Sequence, residues 1–320
     1  MIFTLPETLV LLGLDFLALV LSLIALIGAV RVLKNWDFNA TTPGQYRLEK
    51  GVYLTAVLIL FVLALKLLLL PFFVFLLDRL SLLMPGAMCA AGVVNANGYG
   101  TPLLFIRMAT AFALGTWLVI HRLDLAQKTW PFTRRKFLFF LPVFFLIALE
   151  PLLGLLFLSG LDTQEAVQCC SLLYGVAQSA GTLPLGIHAT ALWVIFGALG
   201  LLSVTAGLLR HEVLALAVAP AFLLTALMVI IYLFSPYVYE LPTHQCPYCL
   251  LQKEYGYMGY FLYGTLLMGT FSLMAAGLSA LWLKERLKRL FWAGAVFNAV
   301  FLAIVAFYPL GFYFRNGVWL

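Results

Sequence analysis

The chain has 320 residues, of which 64% are hydrophobic and 10% charged, with a formal net charge of +6 and a mean hydropathy of +1.05. Soluble domains carry about 25% charged residues, and no water-soluble fold of this size hides so much apolar surface. The basic residues lie in short segments between apolar runs rather than on one soluble face, so no nucleic-acid partner is expected and the lipid bilayer is the solvent.

Met1 to Val10 shows neither a basic region nor a small-residue cleavage site, so the first apolar run reads as a true span rather than a removable signal peptide. A spanning helix needs about 20 mostly apolar residues. Eight such runs follow in order: Leu9 to Leu33, Val52 to Leu77, Pro102 to Ile120, Phe137 to Leu158, Leu185 to Leu209, Val213 to Phe234, Tyr257 to Leu283 and Leu290 to Phe312. The expected fold is all-α, a polytopic transmembrane helix bundle forming a single integral membrane domain over residues 1–320. Fourteen of the 19 basic residues fall in one set of loops, and Arg79, Lys253 and Arg315 in the other. By the positive-inside rule both termini then lie outside, on the periplasmic side of a bacterial inner membrane.

Three outward loops result, 78–101, 159–184 and 235–256, and they hold every cysteine: Cys89 in the first, Cys169 and Cys170 in the second, Cys246 and Cys249 in the third. Outside the cytoplasm thiols meet oxidising conditions, so disulfides or metal sites are expected there. The electron-transfer and metal readings both require these sulfurs to gather in one patch. Gly100-Thr101 follow Cys89 at the spacing at which Gly181-Thr182 follow Cys170, which hints at a repeated helix-hairpin unit.

The sharpest motif is Cys246-Pro247-Tyr248-Cys249-Leu250-Leu251-Gln252-Lys253, just before the seventh run. At a helix N-terminus the unpaired N–H groups would stabilise a thiolate, the attacking species in disulfide exchange. Lys253, one turn on, adds positive charge. Leucine rather than histidine follows Cys249, which argues against covalent c-type haem attachment.

This segment resembles the Cys-x-x-Cys-x-x-Gln/Glu-Arg stretch of the DsbB family, membrane proteins that make disulfides and pass electrons to quinone. It is also similar to the Cys-x-x-Cys of vitamin K epoxide reductase homologues. The resemblance implies that Cys246 and Cys249 are a quinone-proximal catalytic pair, with Gln252 and Lys253 beside the quinone, and that Cys89, Cys169 and Cys170 relay electrons from a periplasmic thiol protein. It covers eight residues. Lysine stands where the family has arginine, and those families have a four-helix core.

Other readings stay open. The five cysteines with His244, which lies two residues before Cys246, could bind copper or zinc, Met84 and Met88 adding thioethers. The pairs His188 and His244, or His121 and His211, could hold haem b in an anchor subunit partnered with respiratory-complex subunits. Asp15, Lys66, Arg107 and Glu150 lie within spans, where charges are costly and face a bundle interior or a cavity. Pairing Asp15 with Lys66 and Arg107 with Glu150 would make either structural ion pairs or a proton route or quinone pocket.

Overall fold

The computed structural model describes residues 2–37, 42–167, 188–242 and 244–320, so Cys169 and Cys170 lie outside the described residues. No strand occurs among them. Eight of the described helices are long and apolar enough to cross a membrane, which makes this an integral membrane protein of the all-α polytopic class. Contacts divide the chain into two compact units, Met1–Val167 and Gln168–Leu320.

The first unit contains α1 (Pro6–Asn35), α2 (Pro43–Ser81), a short α3 (Ala90–Val94), α4 (Gly100–Leu125) and α5 (Thr133–Ser159). Proline in the first turn starts α1 and α2, where its missing N–H costs nothing. Thr42 caps α2 by accepting from the Gln45 N–H. The four long helices close a ring, with α1 against α2 and α5 and α4 against the same two. The buried face of α1 is Thr8, Leu11, Asp15, Ala18, Ser22, Ala25, Ala29 and Val32. That alternation of three and four residues is the seam of left-handed helix packing. Leu9, Phe16, Val20, Leu23 and Ile27 lie exposed on the other face, as lipid contact requires.

At the basic end of this unit, Asp124 ties α4 to α5. Its carboxylate accepts from the Phe132 N–H (2.7 Å), Thr133 Oγ1 (2.9 Å) and Lys136 Nζ (2.6 Å). Both charged partners are fully enclosed, so the hydrogen bonds must offset their desolvation.

The second unit contains α6 (Ala189–Leu209), α7 (Glu212–Tyr239), α8 (Met258–Leu283) and α9 (Lys288–Asn316). They form the same kind of ring, each helix touching the next and α9 returning to α6. A π-type turn over Ile230–Phe234 carries α7 on to Tyr239, past the end expected from hydropathy. In lipid no hydrophobic force joins helices, so close approach of small residues must do so. A Cβ on Gly269 would fall 2.0 Å from Asn298 Oδ1, and one on Gly207 2.6 Å from the Phe291 carbonyl.

Gly269→Ala is therefore expected to cost about 1–3 kcal/mol by overpacking, read as a lower thermal midpoint in detergent. Gly13→Ala serves as the control, since its Cβ meets nothing within 4 Å.

Candidate functional site

The sharpest sequence motif sits in the link between α7 and α8. Glu240 ends α7 in the left-handed region (φ 54°), with Leu241 N–H bonded back to the Pro236 carbonyl. The chain then folds into two 3-10 turns, Cys249–Leu251 and Lys253–Tyr255. Gly256 and Tyr257, both at positive φ, redirect it into α8 at Met258. The expectation that the Cys246–Cys249 motif lies at a helix N-terminus, in reach of the dipole of the seventh span, is therefore corrected. Proline at 247 and the left-handed pair at 256–257 break the helix, so Cys249 opens a single turn. The macrodipole of α8 is not available to it, because that field fades within the first turn of a helix. For the same reason Lys253 does not continue a helix from Cys249; it opens the second turn and is exposed.

Cys246 and Cys249 are thiols with exposures of 0% and 8%, and their sulfurs lie within 4.8 Å of each other. Two tyrosines from the flanking helices fasten the backbone of this segment. Tyr239 Oη at the end of α7 donates to the Cys246 carbonyl, and Tyr263 Oη on α8 donates to the Pro247 carbonyl at 2.8 Å. The Tyr239 ring also packs on His244 (4.1 Å between centroids) and on Tyr255 (4.4 Å). Burial first, then the neighbouring Cys249, Glu254 and Cys246, push the Tyr255 phenol above its ordinary value, so it stays protonated. Gly259 lets the first turn of α8 lie against the Leu250 backbone, where a Cβ would be 2.9 Å away. Gln245, next to Cys246, is fully buried, and among the described residues neither its amide oxygen nor its nitrogen has a hydrogen-bond partner.

A second constellation lies within the first unit. Asp15 on α1, Lys66 on α2, Arg107 on α4 and Glu150 on α5 are each no more than 3% exposed. Lys66 Nζ is 2.8 Å from both Asp15 Oδ1 and Glu150 Oε2. Arg107 pairs through Nη2 with Asp15 Oδ2, and its Nη1 lies 3.4 Å from Asp15 Oδ1 and from Glu150 Oε2. The Arg107 guanidinium also covers the Phe73 ring at 4.9 Å. The two ion pairs read from sequence are thus one network of four, because all four helices of the ring contribute at one level. Among the described residues, two of its polar atoms have no hydrogen-bond partner, Glu150 Oε1 and Arg107 Nε.

The remaining expected residues fall as follows. Cys89 is buried at the head of α3 in the first unit. Met84 is buried, whereas Met88 is 84% exposed. His121 stacks on Trp117 within α4 (5.0 Å), and His211 accepts the Leu214 N–H as the cap of α7. His188 stands exposed at the start of α6, and Gln252 is partly buried between the two 3-10 turns. Of the expected quinone contacts, Glu150 and Arg107 belong to the first unit, and His244, Gln252 and Lys253 to the second. Gln245 and Tyr263 went unnoticed in the sequence, and Tyr239 stood out there only as one tyrosine of an interfacial belt. Nothing in a lone glutamine or an interfacial tyrosine signals an unmet amide or a carbonyl clamp.

Comparison with known proteins finds no matching family model, no matching curated protein and no matching solved structure.

Lys66→Met leaves two buried carboxylates on one guanidinium. Breaking a buried pair this way costs about 3–5 kcal/mol, so the purified variant is expected to unfold at lower temperature than wild type. An unchanged midpoint would show that the network adds nothing to stability.

Proposed function

We propose that this protein is a membrane thiol–disulfide oxidoreductase whose working pair is Cys246 and Cys249, passing electrons from a thiol substrate on the non-cytosolic side to quinone in the bilayer. The observation that carries the reading is the proximity of two buried sulfurs in a four-residue segment whose carbonyls are held by Tyr239 and Tyr263. A disulfide needs the sulfurs to close to about 2.05 Å. A fastened backbone leaves that motion to the two side chains, so little ordering entropy is lost on closure.

The chemistry balances in two halves. In the oxidised pair, a substrate thiolate attacks one sulfur, the Cys246–Cys249 bond breaks, and a mixed disulfide forms. Cys249, the less enclosed of the two, is the sulfur attacked. The second substrate thiol then displaces it, leaving an oxidised substrate and a reduced pair that has gained two electrons and two protons. Quinone takes up those two electrons and two protons, leaves as quinol, and the pair's disulfide re-forms. Gln245 offers its amide to a quinone carbonyl: it is beside Cys246 and buried, and among the described residues neither amide atom has a partner. Orientation follows from charge, with Arg210, Lys284, Arg286, Lys288 and Arg289 facing the cytosol and both termini outside.

In proteoliposomes, reduction of a short-chain benzoquinone by dithiothreitol is expected to fall to background in Cys246→Ser and in Cys249→Ser. Turnover at the wild-type rate in either variant rules the reading out. Stoichiometric copper or zinc in the purified protein, with thiols that neither oxidise nor exchange, would point to a soft-metal site instead. Gln245→Leu is expected to raise KM for quinone while the count of exchangeable thiols stays constant. A topology reporter fused after Leu320 is expected to be active only in its extracytoplasmic form.

A further inference from the structure

The first unit also holds a groove that neither constellation uses. It lies between the basic ends of α1 and α2 and has a volume of about 750 Å³, within the span of about 300–1,000 Å³ usual for ligand sites. One stripe of each helix lines it. On α1 the stripe is Ile24, Ile27, Gly28, Arg31 and Asn35; on α2 it is Gly44, Arg47, Gly51, Leu54 and Leu58. Steps of three and four residues keep each set on one face. The helices meet at Gly28, where a Cβ would fall 2.3 Å from Thr55 Oγ1. One turn from Thr55, Gly51 stands inside α2, yet a Cβ there would meet nothing within 4 Å. Glycine is unfavourable in a helix interior, and among the described residues its small size serves no packing contact. What it leaves is room in the groove.

Polarity grades along this groove. Farther from the helix ends the walls are Ile24, Ile27, Leu54 and Leu58, and the first three are exposed. Toward the ends they turn polar, with Arg31, Asn35 and Asp37 on one side and Thr42, Gln45 and Arg47 on the other. Residues 38–41, between Asp37 and Thr42, lie outside the described residues. Arg31 and Arg47 are exposed, and among the described residues neither is in an ion pair. A smaller cavity of about 280 Å³ adjoins through Asp37 and Gln45, which line both, and adds Glu49 and Lys128 between Trp36 and Trp130. The charged groups around the two cavities are thus Arg31, Arg47 and Lys128 against Asp37 and Glu49. Three cations against two anions leave a surplus of one positive charge.

We infer that the groove between α1 and α2 is a binding site for an anionic phospholipid with a hydroxyl-bearing headgroup. One acyl chain lies along Ile24, Ile27, Leu54 and Leu58, and the phosphodiester sits at Arg31 and Arg47. The order of the walls, apolar then basic then mixed polar, is the order of chain, phosphate and headgroup. Guanidinium groups take phosphate oxygens through paired N–H donors, and basic pockets between spanning helices suit anionic headgroups. A phosphodiester carries one negative charge and cancels the surplus, whereas a zwitterionic lipid cancels none of it. The carboxylates of Asp37 and Glu49 repel the phosphate toward the arginines and accept from headgroup hydroxyls. The site belongs to the first unit alone and is independent of the thiol reading.

The test is native mass spectrometry of the full-length protein in a neutral detergent, titrated with dioleoylphosphatidylglycerol. The expected result is one tightly held lipid, with dioleoylphosphatidylcholine bound about tenfold more weakly, the order of one charge-assisted contact. Phosphatidylcholine binding equally well overturns the inference. So does displacement of the lipid by an equal concentration of inorganic phosphate, which would mark a plain anion site. Replacing both arginines, Arg31→Gln with Arg47→Gln, is expected to weaken phosphatidylglycerol by about tenfold or more. Lys34→Gln, at the same end of α1 but outside the groove, is expected to change nothing; an equal loss there would show only a basic surface and overturn the site. Gly51→Leu keeps every charge and puts a side chain where no protein atom stands. It is expected to displace the lipid while the lipid-free thermal midpoint does not fall. Wild-type affinity in folded Gly51→Leu overturns the location, whatever the arginine variants do.

Discussion

The constraint on which the first unit depends is charge neutrality in a medium that cannot solvate charge. Two carboxylates, an ammonium and a guanidinium meet at one level, one from each long helix of the ring. In hydrocarbon each alone would be costly to bury; together they sum to zero and satisfy most of one another's hydrogen bonds. Because each helix supplies one member, the network also sets register. Sliding any helix by a turn would part its charge from the other three, whereas the apolar contacts around them tolerate such a slip.

The second unit is organised differently. Among its described residues no comparable charged level joins the helices; they approach through glycines at positions 200, 207, 269, 277 and 294, each packed against a neighbouring helix. The Phe196, Phe222 and Phe301 rings add an aromatic contact in the same bundle. The rigid frame matters because the cysteine pair stands on a connection, and connections are ordinarily the more variable part of a fold. Here the connection takes its geometry from Tyr239 and Tyr263, which stand on helices. Under the proposed redox reading, a pair fastened in this way closes by side-chain rotation alone.

Much of the fold was legible in the sequence, for a definite reason. A bilayer imposes one length and one polarity on every span, so hydropathy alone locates the eight helices to within a few residues of their observed ends in most cases. It failed where helix geometry departs from the regular form, at the π-type turn that carries α7 to Tyr239 and at the start of α2, whose polar first turns hydropathy does not register. The pairing of Asp15 with Lys66 was legible from depth, since charges at the same depth have few alternatives. The fourfold closure was not, because it depends on which helices are neighbours in the ring.

For the cysteine motif the division is sharper. The residue types and the spacing of Cys246 and Cys249 are properties of the chain, and they limit the chemistry open to it. Whether that motif begins a helix, how deeply its sulfurs are buried, and which carbonyls are clamped depend on atoms from elements distant in sequence. Sequence determined that this chain belongs in a membrane and where its spans lie, because those follow from transfer free energies of local segments. Tertiary structure alone decided that, among the described residues, Gln245 and Glu150 carry buried polar atoms without a partner, since satisfaction of a buried group depends on every neighbour the fold places around it.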